Sequence, residues 1–345
     1  MNLPSRDGVR VKAEELEECV RAIAAASGLV PDRASLLASL LVTNDLRGVF
    51  SHGSVQVATY ARLMRDGKLN GAPHVRVVRE TPVSLLVDGD GGLGYFPSWD
   101  GTQALCRKAK EAGIAVLVTR NHGHFGAAGI YARIPIEHEL LSFVTSGHQL
   151  RLEPEASHYA AAGGSPMAFG VPSDGAPIVV DFGCMHDLYA SDPHRDTIAG
   201  LAPGLVLRSI GLGEICQTWG GFLSGLNLDP DPPVWQWPGA NQGAMVIACR
   251  VDLFTETPRF KREVAQYVER IRRLSPLPGL GETFAAGDYE RRNEERYRAE
   301  GIPLSPAAVA ALDETARDFG VGPISSSSPA RVSRRPPPAS GTTSR

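Results

Sequence analysis

Between about residue 80 and residue 255, short apolar segments alternate with stretches of helical pattern, and this alternation restricts the fold more than any other feature of the chain. Strands that alternate with helices bury their apolar side chains in layered folds, so the pattern predicts an α/β or α+β protein. The segments that predict strands are rich in aliphatic residues: SLLVDG, IAVLVT, LLSFVT, MAFGVP, PIVVDF and AMVIACRVDLF. Helices are predicted around residues 98–112 and 126–134 and in the glycine-rich segment SIGLGEICQTWGGFLSG.

Helical periodicity flanks this region on both sides. Before residue 80 it predicts helices in EELEECVRAIAAASG, PDRASLLASLLVTNDLRG and SVQVATYARLMRDG, and after residue 255 it predicts helices near 259–274, 288–300 and 305–318. From Gly322 the chain is rich in serine, proline and arginine, a composition that favours disorder. We therefore predict an N-terminal helical part at 1–80, a central sheet domain at 81–255, C-terminal helices at 256–321 and a disordered tail at 322–345.

Composition limits the classes of function. With 345 residues, of which 43% are hydrophobic and 21% charged, the chain can bury a substantial core. A net charge of −3 provides no broad basic surface, which argues against nucleic acid or an anionic membrane as the main partner and favours a small-molecule substrate. We find neither an apolar run of the roughly 18 residues needed to span a membrane nor a signal-peptide pattern, and we expect a cytoplasmic protein. The five cysteines form no C-x-x-C motif, so reduced and mostly buried thiols are expected.

The stretch VDGDGGLGYF at residues 87–96 contains Gly89, Gly91 and Gly94 in the G-x-G-x-x-G spacing of dinucleotide-binding proteins. A Rossmann motif needs a strand before the glycines, a helix that opens on them, and an acidic residue about 20 positions later at the end of the next strand. SLLVDG supplies the strand. The next strand, however, ends in VLVTRN, which contains no acidic residue, and residues 97–99 (PSW) interrupt the helical pattern after the third glycine. The motif therefore predicts a tight structural turn rather than a cofactor site.

Two histidine-containing turns are the candidates for chemistry. His52 follows Ser51 just before a predicted helix, where the positive helix end favours a neutral imidazole and suits contacts with anions. His122 and His124 lie between a strand end and a glycine-rich helix start, where ligand-facing loops occur in α/β proteins. Each of these histidines alone is more typical of an ordinary turn than of a functional site. A zinc site needs at least three protein ligands and no third ligand has suitable spacing, so no metal is expected.

Taken together, four motifs in order resemble the malate/L-lactate dehydrogenase family of the non-Rossmann type. They are D-L-R-G-V-F-S-H-G with a tyrosine eight residues past the histidine, V-D-G-D-G-G-L-G, N-H-G-H-F-G-A-A-G-I-Y-A, and G-G-S-P-M-A-F-G-V-P. The resemblance runs from about residue 11 to residue 320 and includes R-R-N-E-E-R-Y-R-A-E-G-I-P-L. It implies a central mixed-sheet, cofactor-binding domain with a helical domain built from both chain ends, NAD or NADP as cofactor, and a homodimer. That family includes ureidoglycolate, sulfolactate and diketogulonate oxidoreductases and piperideine-carboxylate reductase.

The resemblance also implies roles for individual residues. His52, with Ser51 beside it, and His124 match histidines assigned acid/base roles, and Tyr60 matches a tyrosine of the substrate pocket. A histidine that titrates near neutrality suits the proton transfer that accompanies hydride transfer to a carbonyl or imine. The residues that the resemblance places at the cofactor are Asp181, Phe182, Gly183, His148, Arg208, Ala286, Gly287 and Asp288.

The chain departs from the family pattern at three places. Gln56 stands where relatives carry an arginine that clamps a substrate carboxylate, and only 26 residues separate Asp181 from Arg208. The turn that reads P-G-E in relatives is A-G-D here, at residues 286–288. Two hypotheses remain: an NAD(P)H-dependent oxidoreductase acting on a small carbonyl, hydroxy or imine substrate, or a catalytically silent relative that serves as a binding or partner protein.

Overall fold

A seven-stranded mixed sheet forms the centre of the computed structural model, which describes residues 8–228 and 234–324. The strands, numbered along the chain, are β1 (Val9–Val11), β2 (Arg76–Thr81), β3 (Ser84–Asp88), β4 (Ile114–His122), β5 (Leu140–His148), β6 (Pro166–Val171), β7 (Ile178–Gly183), β8 (Gln242–Arg250) and β9 (Ile302–Leu304). The helices are α1 (Ala13–Ala26), α2 (Pro31–Leu46), α3 (Gln56–Arg65), α4 (Tyr95–Ala112), α5 (Ala128–Glu137), α6 (Arg195–Leu201), α7 (Pro203–Cys216), α8 (Thr257–Ile271), α9 (Asp288–Glu300) and α10 (Pro306–Asp318).

The order of strands in the central sheet is β2-β3-β4-β8-β5-β6-β7. β3 and β4 are parallel and are joined by α4, whereas every other neighbouring pair in this sheet is antiparallel. The sheet is therefore mixed and is not a doubly wound Rossmann sheet. The predicted α/β fold with a central mixed sheet is confirmed.

The two ends of the described chain meet in one helical layer. β1 and β9 form a short antiparallel sheet in which Val9 pairs with Leu304 and Val11 pairs with Ile302. Helices α1, α2, α3, α9 and α10 pack around this sheet, and one continuous apolar core joins this layer to α4, α5 and the central strands. This arrangement explains why the family resemblance begins near one end of the chain and finishes near the other.

The glycine turn between β3 and α4 is a packing device. Residues 91–98 are buried, and a Cβ atom on Gly91 would overlap the ring of Trp237. A Cβ on Gly94 would lie 2.5 Å from Nδ1 of His122. The prediction that residues 97–99 separate the glycines from the helix is wrong, because α4 begins at Tyr95 and Pro97 sits in its first turn, where its missing N–H costs nothing. The prediction of a structural turn is confirmed, since the buried backbone offers no surface to a pyrophosphate.

Helix α7 has two apolar faces and buries only one of them. Val206 and Ile210 pack with Ala162, Met185 and Leu188 in a small cluster separate from the main core. Three other apolar side chains of α7 and three in the helical turns that follow it remain 38–59% exposed. We call these six residues the α7 stripe, and the first of them also lines the cleft described below: Leu205, Leu212, Ile215, Trp219, Phe222 and Leu223. Among the described residues, no single helix has the length and apolarity to cross a membrane, although the sharply bent pair formed by α6 and residues 203–224 meets those two criteria together.

The domain boundaries at 1–80, 81–255 and 256–321 remain predictions, since the shared core crosses them. Within the predicted tail, Ile324 is buried against the helical core. Residues 325–345 of that tail lie outside the described residues, as do residues 1–7 and 229–233.

Candidate active site

A cleft of about 720 Å³ opens between the helical layer and the β5, β6 and β7 side of the sheet. Loops after α2 and β4 form one wall, the ends of β5 and β7 form the floor, and α7 with the start of α9 closes the far side. Seven of the residues that the sequence predicts for the site line this cleft: Ser51, His52, His124, His148, Asp181, Phe182 and Gly183. The structure therefore brings together two motifs that lie more than 70 positions apart in the sequence.

His52 is the last residue of a 3₁₀ turn, Phe50–His52, between α2 and α3. Two side chains at the end of α2 hold this turn in place. Nδ2 of Asn44 donates to the His52 carbonyl at 2.9 Å, and Oδ2 of Asp45 accepts from the Ser54 amide at 2.8 Å. Ser51 Oγ lies 3.0 Å from His52 Nδ1. Burial lowers the pKa of His52 below its ordinary value, so the imidazole is neutral at pH 7.

His124 faces His52, with ring centroids 5.4 Å apart. Its Nδ1 lies 2.6 Å from the hydroxyl of Tyr60, which in turn lies 3.3 Å from the hydroxyl of Tyr95. Burial, together with the proximity of His52, lowers the pKa of His124 to about 3. Burial raises the pKa of Tyr60 well above its usual value, so this hydroxyl stays protonated. The two histidines are thus a neutral pair, and Nε2 is the nitrogen of His124 that remains for a ligand.

His122 belongs to the core and does not reach the cleft. Its ring is fully buried, with Nε2 at 2.8 Å from Thr119 Oγ1 and Nδ1 at 2.7 Å from the Gly123 carbonyl. Burial lowers its pKa to about 4. Across residues 8–228 and 234–324, no three histidine, cysteine, aspartate or glutamate side chains converge as metal ligands would.

Asp181 lies on the floor of the cleft at the end of β7. Its Oδ2 accepts a hydrogen bond from the Gly129 amide at 2.8 Å, at the start of α5. Although the residue is exposed along the open cleft, crowding by protein atoms raises the pKa of the carboxyl to about 6, while the Gly129 amide and Arg133 act in the opposite direction. His148, at the end of β5, is neutral for the same reason as His52, since burial lowers its pKa.

Several residues predicted for the site lie elsewhere. Tyr60 is buried behind His124 and reaches the cleft only through that ring. Gln56 turns back, and its Nε2 donates to the Ser51 carbonyl at 2.7 Å instead of facing the cleft. Arg208 is exposed on α7, beside the cleft-lining Ser209.

The predicted A-G-D turn is held by structural contacts. Ala286 accepts from the Val179 amide at 3.2 Å, and the Gly287 backbone packs against the same valine. Asp288 forms an ion pair with Arg272, with Nε at 2.9 Å, and this pair lowers the pKa of the carboxyl. The cofactor roles predicted for these residues stay predictions. The adjacent Tyr289 and Glu290 line the cleft, and the sequence did not single them out.

Arg47 is a further cleft residue that sequence reasoning missed. It lines the cleft next to Gly48 and Val49, and its Nε donates to Glu294 at 3.0 Å. The available signal was its position in the quoted stretch D-L-R-G-V-F-S-H-G, five residues before His52.

Asp45 gives the site a pH-dependent contribution to stability. It is fully buried, and its Oδ1 has no hydrogen-bond partner among the described residues. Burial raises its pKa from 3.8 to about 7, so between these pH values the folded protein holds a proton that the unfolded chain releases. Stability therefore falls as pH rises through this range.

We expect Asp45→Asn to remove that loss, because the amide oxygen still accepts from Ser54 and carries no charge. The difference in the free energy of unfolding between the variant and the wild type should shift in favour of the variant by about 1–4 kcal/mol as the pH rises from 4 to 8. Each pK unit corresponds to about 1.4 kcal/mol. Urea unfolding at several pH values measures this difference. Glu111→Gln, at an exposed position, controls for removal of a negative charge. Parallel curves for wild type and Asp45→Asn would contradict the prediction.

Comparison with known proteins adds the following. A sequence profile described as malate/L-lactate dehydrogenase matches residues 11–185 and 191–313. The malate dehydrogenase of Pyrococcus horikoshii is 24% identical over 347 residues, which cover 91% of this chain and 96% of that protein. A ureidoglycolate dehydrogenase (NAD(+)) of Escherichia coli O157:H7 is 23% identical and covers 86% of this chain and 93% of its own length. The structure of the Pyrococcus horikoshii malate dehydrogenase matches the fold with a TM-score of 0.80 at 23% identity, over 93% of this chain and 98% of that one.

Proposed function

The chain belongs to the malate/L-lactate dehydrogenase family, and on this premise we propose that it is an NAD(P)-dependent oxidoreductase that transfers hydride to or from a small carbonyl, hydroxy or imine substrate. The observation that carries the proposal is the pair of neutral imidazoles, His52 and His124, set 5.4 Å apart in the wall of the cleft. Hydride transfer to a carbonyl builds negative charge on its oxygen, and two ring nitrogens placed here can supply the proton and a hydrogen bond.

The two imidazoles have different surroundings, and this difference decides which one transfers the proton and which one donates the hydrogen bond. A group that exchanges a proton works best when its pKa lies near the working pH, and the pKa of His124, about 3, is far below it. Held at Nδ1 by the Tyr60 hydroxyl, His124 suits the role of a neutral hydrogen-bond donor. The pKa of His52 is lowered by burial, without the further lowering by neighbouring histidines that acts on His124, and its Nδ1 lies 3.0 Å from the Ser51 hydroxyl, so we assign it the proton transfer.

The cleft suits a nicotinamide cofactor. Its volume of about 720 Å³ falls in the range of small-molecule and cofactor sites. Backbone at Gly126, Gly164 and Gly183 is open to the cleft, so a ligand can approach these positions closely. Bound NAD(P)H would supply the hydride. We propose that residues 181–183 and His148 hold the cofactor, with Arg208 as a cation for its phosphate.

Cofactor binding is the first test. Titration of the purified protein with NADH and with NADPH should enhance nicotinamide fluorescence for at least one of them. Gly183→Val should weaken that binding by about 10-fold or more, because its methyl groups enter the cleft. The fold should tolerate the change, since a Cβ at Gly183 meets its nearest atoms at 3.5 and 3.6 Å.

Gly175→Val is the matched control, in the turn at the other end of β7, where a Cβ has its nearest neighbour at 3.7 Å. It should bind the cofactor as the wild type does. Absence of binding for both nucleotides would contradict the proposal and favour the catalytically silent hypothesis.

We also propose that the protein is a homodimer that pairs through the α7 stripe. Isolated apolar side chains are common on protein surfaces, but six along α7 and the helical turns that follow it indicate a contact surface. A two-fold axis would set each stripe against its copy, which is how most homodimers associate.

Leu212→Glu with Trp219→Glu should convert the dimer to a monomer, because burying unpaired charges in an apolar interface costs several kcal/mol. Light scattering after size exclusion measures the mass. Phe254→Glu, which replaces a residue 80% exposed away from the stripe, should leave the dimer intact. A monomeric wild type, or a dimer that survives the double substitution, would contradict the proposal.

A further inference from the structure

Two cysteines that are 32 positions apart in the chain meet at the floor of the cleft. Cys184 follows β7, is half-buried and lines the cleft, whereas Cys216 is the last residue of α7 and is buried behind it. Both thiols are free. Cys216 Sγ donates to the Pro166 carbonyl at 3.7 Å, and the two thiols are close enough for each to shift the pKa of the other. One thiol is therefore accessible from the cleft, and the second lies directly against it.

The backbone around this thiol pair is held by tight contacts. The Cys184 amide donates to the Ser165 carbonyl at 3.1 Å, and Pro166 pairs with Gly183 in the β6–β7 register. On the helix side, Gly213, one turn before Cys216, leaves no room for a Cβ between α7 and residues 162–165. The backbone of Cys184 and the sulfur of Cys216 are thus both kept beside the same short segment, residues 165–166.

The environment makes the two thiols chemically unequal. The neighbouring Cys216 thiol lowers the pKa of Cys184, which lines the cleft, whereas the neighbouring Cys184 thiol and burial raise the pKa of Cys216 well above its ordinary value. The thiolate is the nucleophilic form of cysteine, so Cys184 is the sulfur that reacts first. A low-pKa, accessible thiolate beside a second thiol is the arrangement of a redox-active cysteine pair.

We propose that Cys184 and Cys216 form a dithiol site that reduces a small hydroperoxide entering the cleft and is converted to an intramolecular disulfide. The Cys184 thiolate attacks one oxygen of hydrogen peroxide, the O–O bond breaks, and hydroxide leaves and takes up a proton, so that Cys184 becomes a sulfenic acid. The Cys216 sulfur then attacks the Cys184 sulfur, the S–S bond forms, and the sulfenic oxygen leaves as water with the thiol proton. Two thiols lose two electrons and two protons in total, and the peroxide is reduced to two molecules of water.

The site is independent of the proposed dehydrogenase activity, because it needs neither the histidine pair nor a nicotinamide. The disulfide would connect the end of β7 to the end of α7, which are the floor and the far side of the cleft. It therefore provides a covalent modification at the cofactor cleft.

The test uses the reduced full-length protein, hydrogen peroxide as the probe, and thiol counting by alkylation and intact mass. We expect a loss of two hydrogen masses and of two of the five alkylatable thiols, reversed by dithiothreitol, with peptide mapping that identifies a Cys184–Cys216 link. In Cys216→Ser and Cys216→Ala, dimedone should trap a sulfenic acid at Cys184. Cys184→Ser should retain its thiols at the same peroxide dose.

Cys249→Ser is the matched control, because Cys249 is also partly exposed and its thiol donates to the Arg250 carbonyl at 3.5 Å. It should form the disulfide at the wild-type rate. Retention of all five thiols in the wild type would overturn the proposal. A link between two copies of the chain, or equal dimedone labelling of Cys184 and Cys249, would overturn it too.

Discussion

Replacement of His52 by alanine is expected to lower kcat by about 10²–10⁴-fold, the usual contribution of a positioned acid/base group. The loss should fall on kcat, because the role proposed for the imidazole is to exchange a proton as hydride moves and not to hold the cofactor. Fluorescence titration with NAD(P)H should therefore give nearly the wild-type dissociation constant. His74→Ala, an exposed histidine away from the cleft, is the control for general loss of an imidazole.

The same substitution at His124 separates the two rings. If His124 acts as a neutral hydrogen-bond donor oriented by Tyr60, His124→Ala should lower kcat by about 10²-fold without moving the pH profile. Tyr60→Phe should have a smaller effect in the same direction, because the ring stays in place and loses only its partner at 2.6 Å. His52→Ala, by contrast, should abolish the limb of the profile that lies below the ordinary pKa of histidine. Wild-type turnover in His52→Ala would remove this residue from the mechanism.

Apart from α6 (Arg195–Leu201), the helices were predictable, and so were most of the described strands, because burial of one face gives a periodic pattern of apolar residues in the sequence. Apolar runs that the structure buries are present in β3, β4, β5 and β8. All six residues of β2 are exposed, so its sequence shows no apolar pattern that predicts a strand. Strand order was not predictable. β8 lies between β4 and β5 although it is distant from both in the sequence, and its residues do not indicate which strands it pairs with.

The site was predictable where motifs carried it and not where side-chain direction decided. His52 and His124 were found through their turns, and the structure places both in the cleft. Asp288 was expected at the cofactor, yet its carboxylate turns to Arg272, a partner 16 positions away. Spacing could not foretell the contact of Cys184 with Cys216 either, because it depends on how α7 packs against β6.

Gln56 leads to a prediction about the charge of the substrate. An arginine–carboxylate contact consists of charge-assisted hydrogen bonds worth roughly 1.5–3 kcal/mol each, and its loss should lower affinity for a simple 2-oxo acid by about 10- to 100-fold or more. Two other arginines that could bind the substrate carboxylate in its place already have acidic partners. Arg62 is occupied by Asp318 at 3.4 Å, and Arg47, which does line the cleft, is paired with Glu294.

We therefore expect poor turnover of pyruvate and oxaloacetate, and a preference for substrates whose matching group is a neutral amide, ester or thioester. Steady-state kinetics on paired acids and amides measure this preference as a ratio of kcat/KM values. Gln56 itself turns away from the cleft, but arginine is longer and lacks the amide that bonds back to the Ser51 carbonyl. Gln56→Arg should therefore bring a guanidinium to the substrate and raise kcat/KM for the acids by about 10-fold or more. Gln56→Met keeps the length of the side chain without a donor, so it should lose the bond to the Ser51 carbonyl and gain nothing on the acids. Efficient wild-type turnover of free 2-oxo acids, unimproved by the arginine, would show that another cation, with Arg47 the first candidate, binds the carboxylate instead.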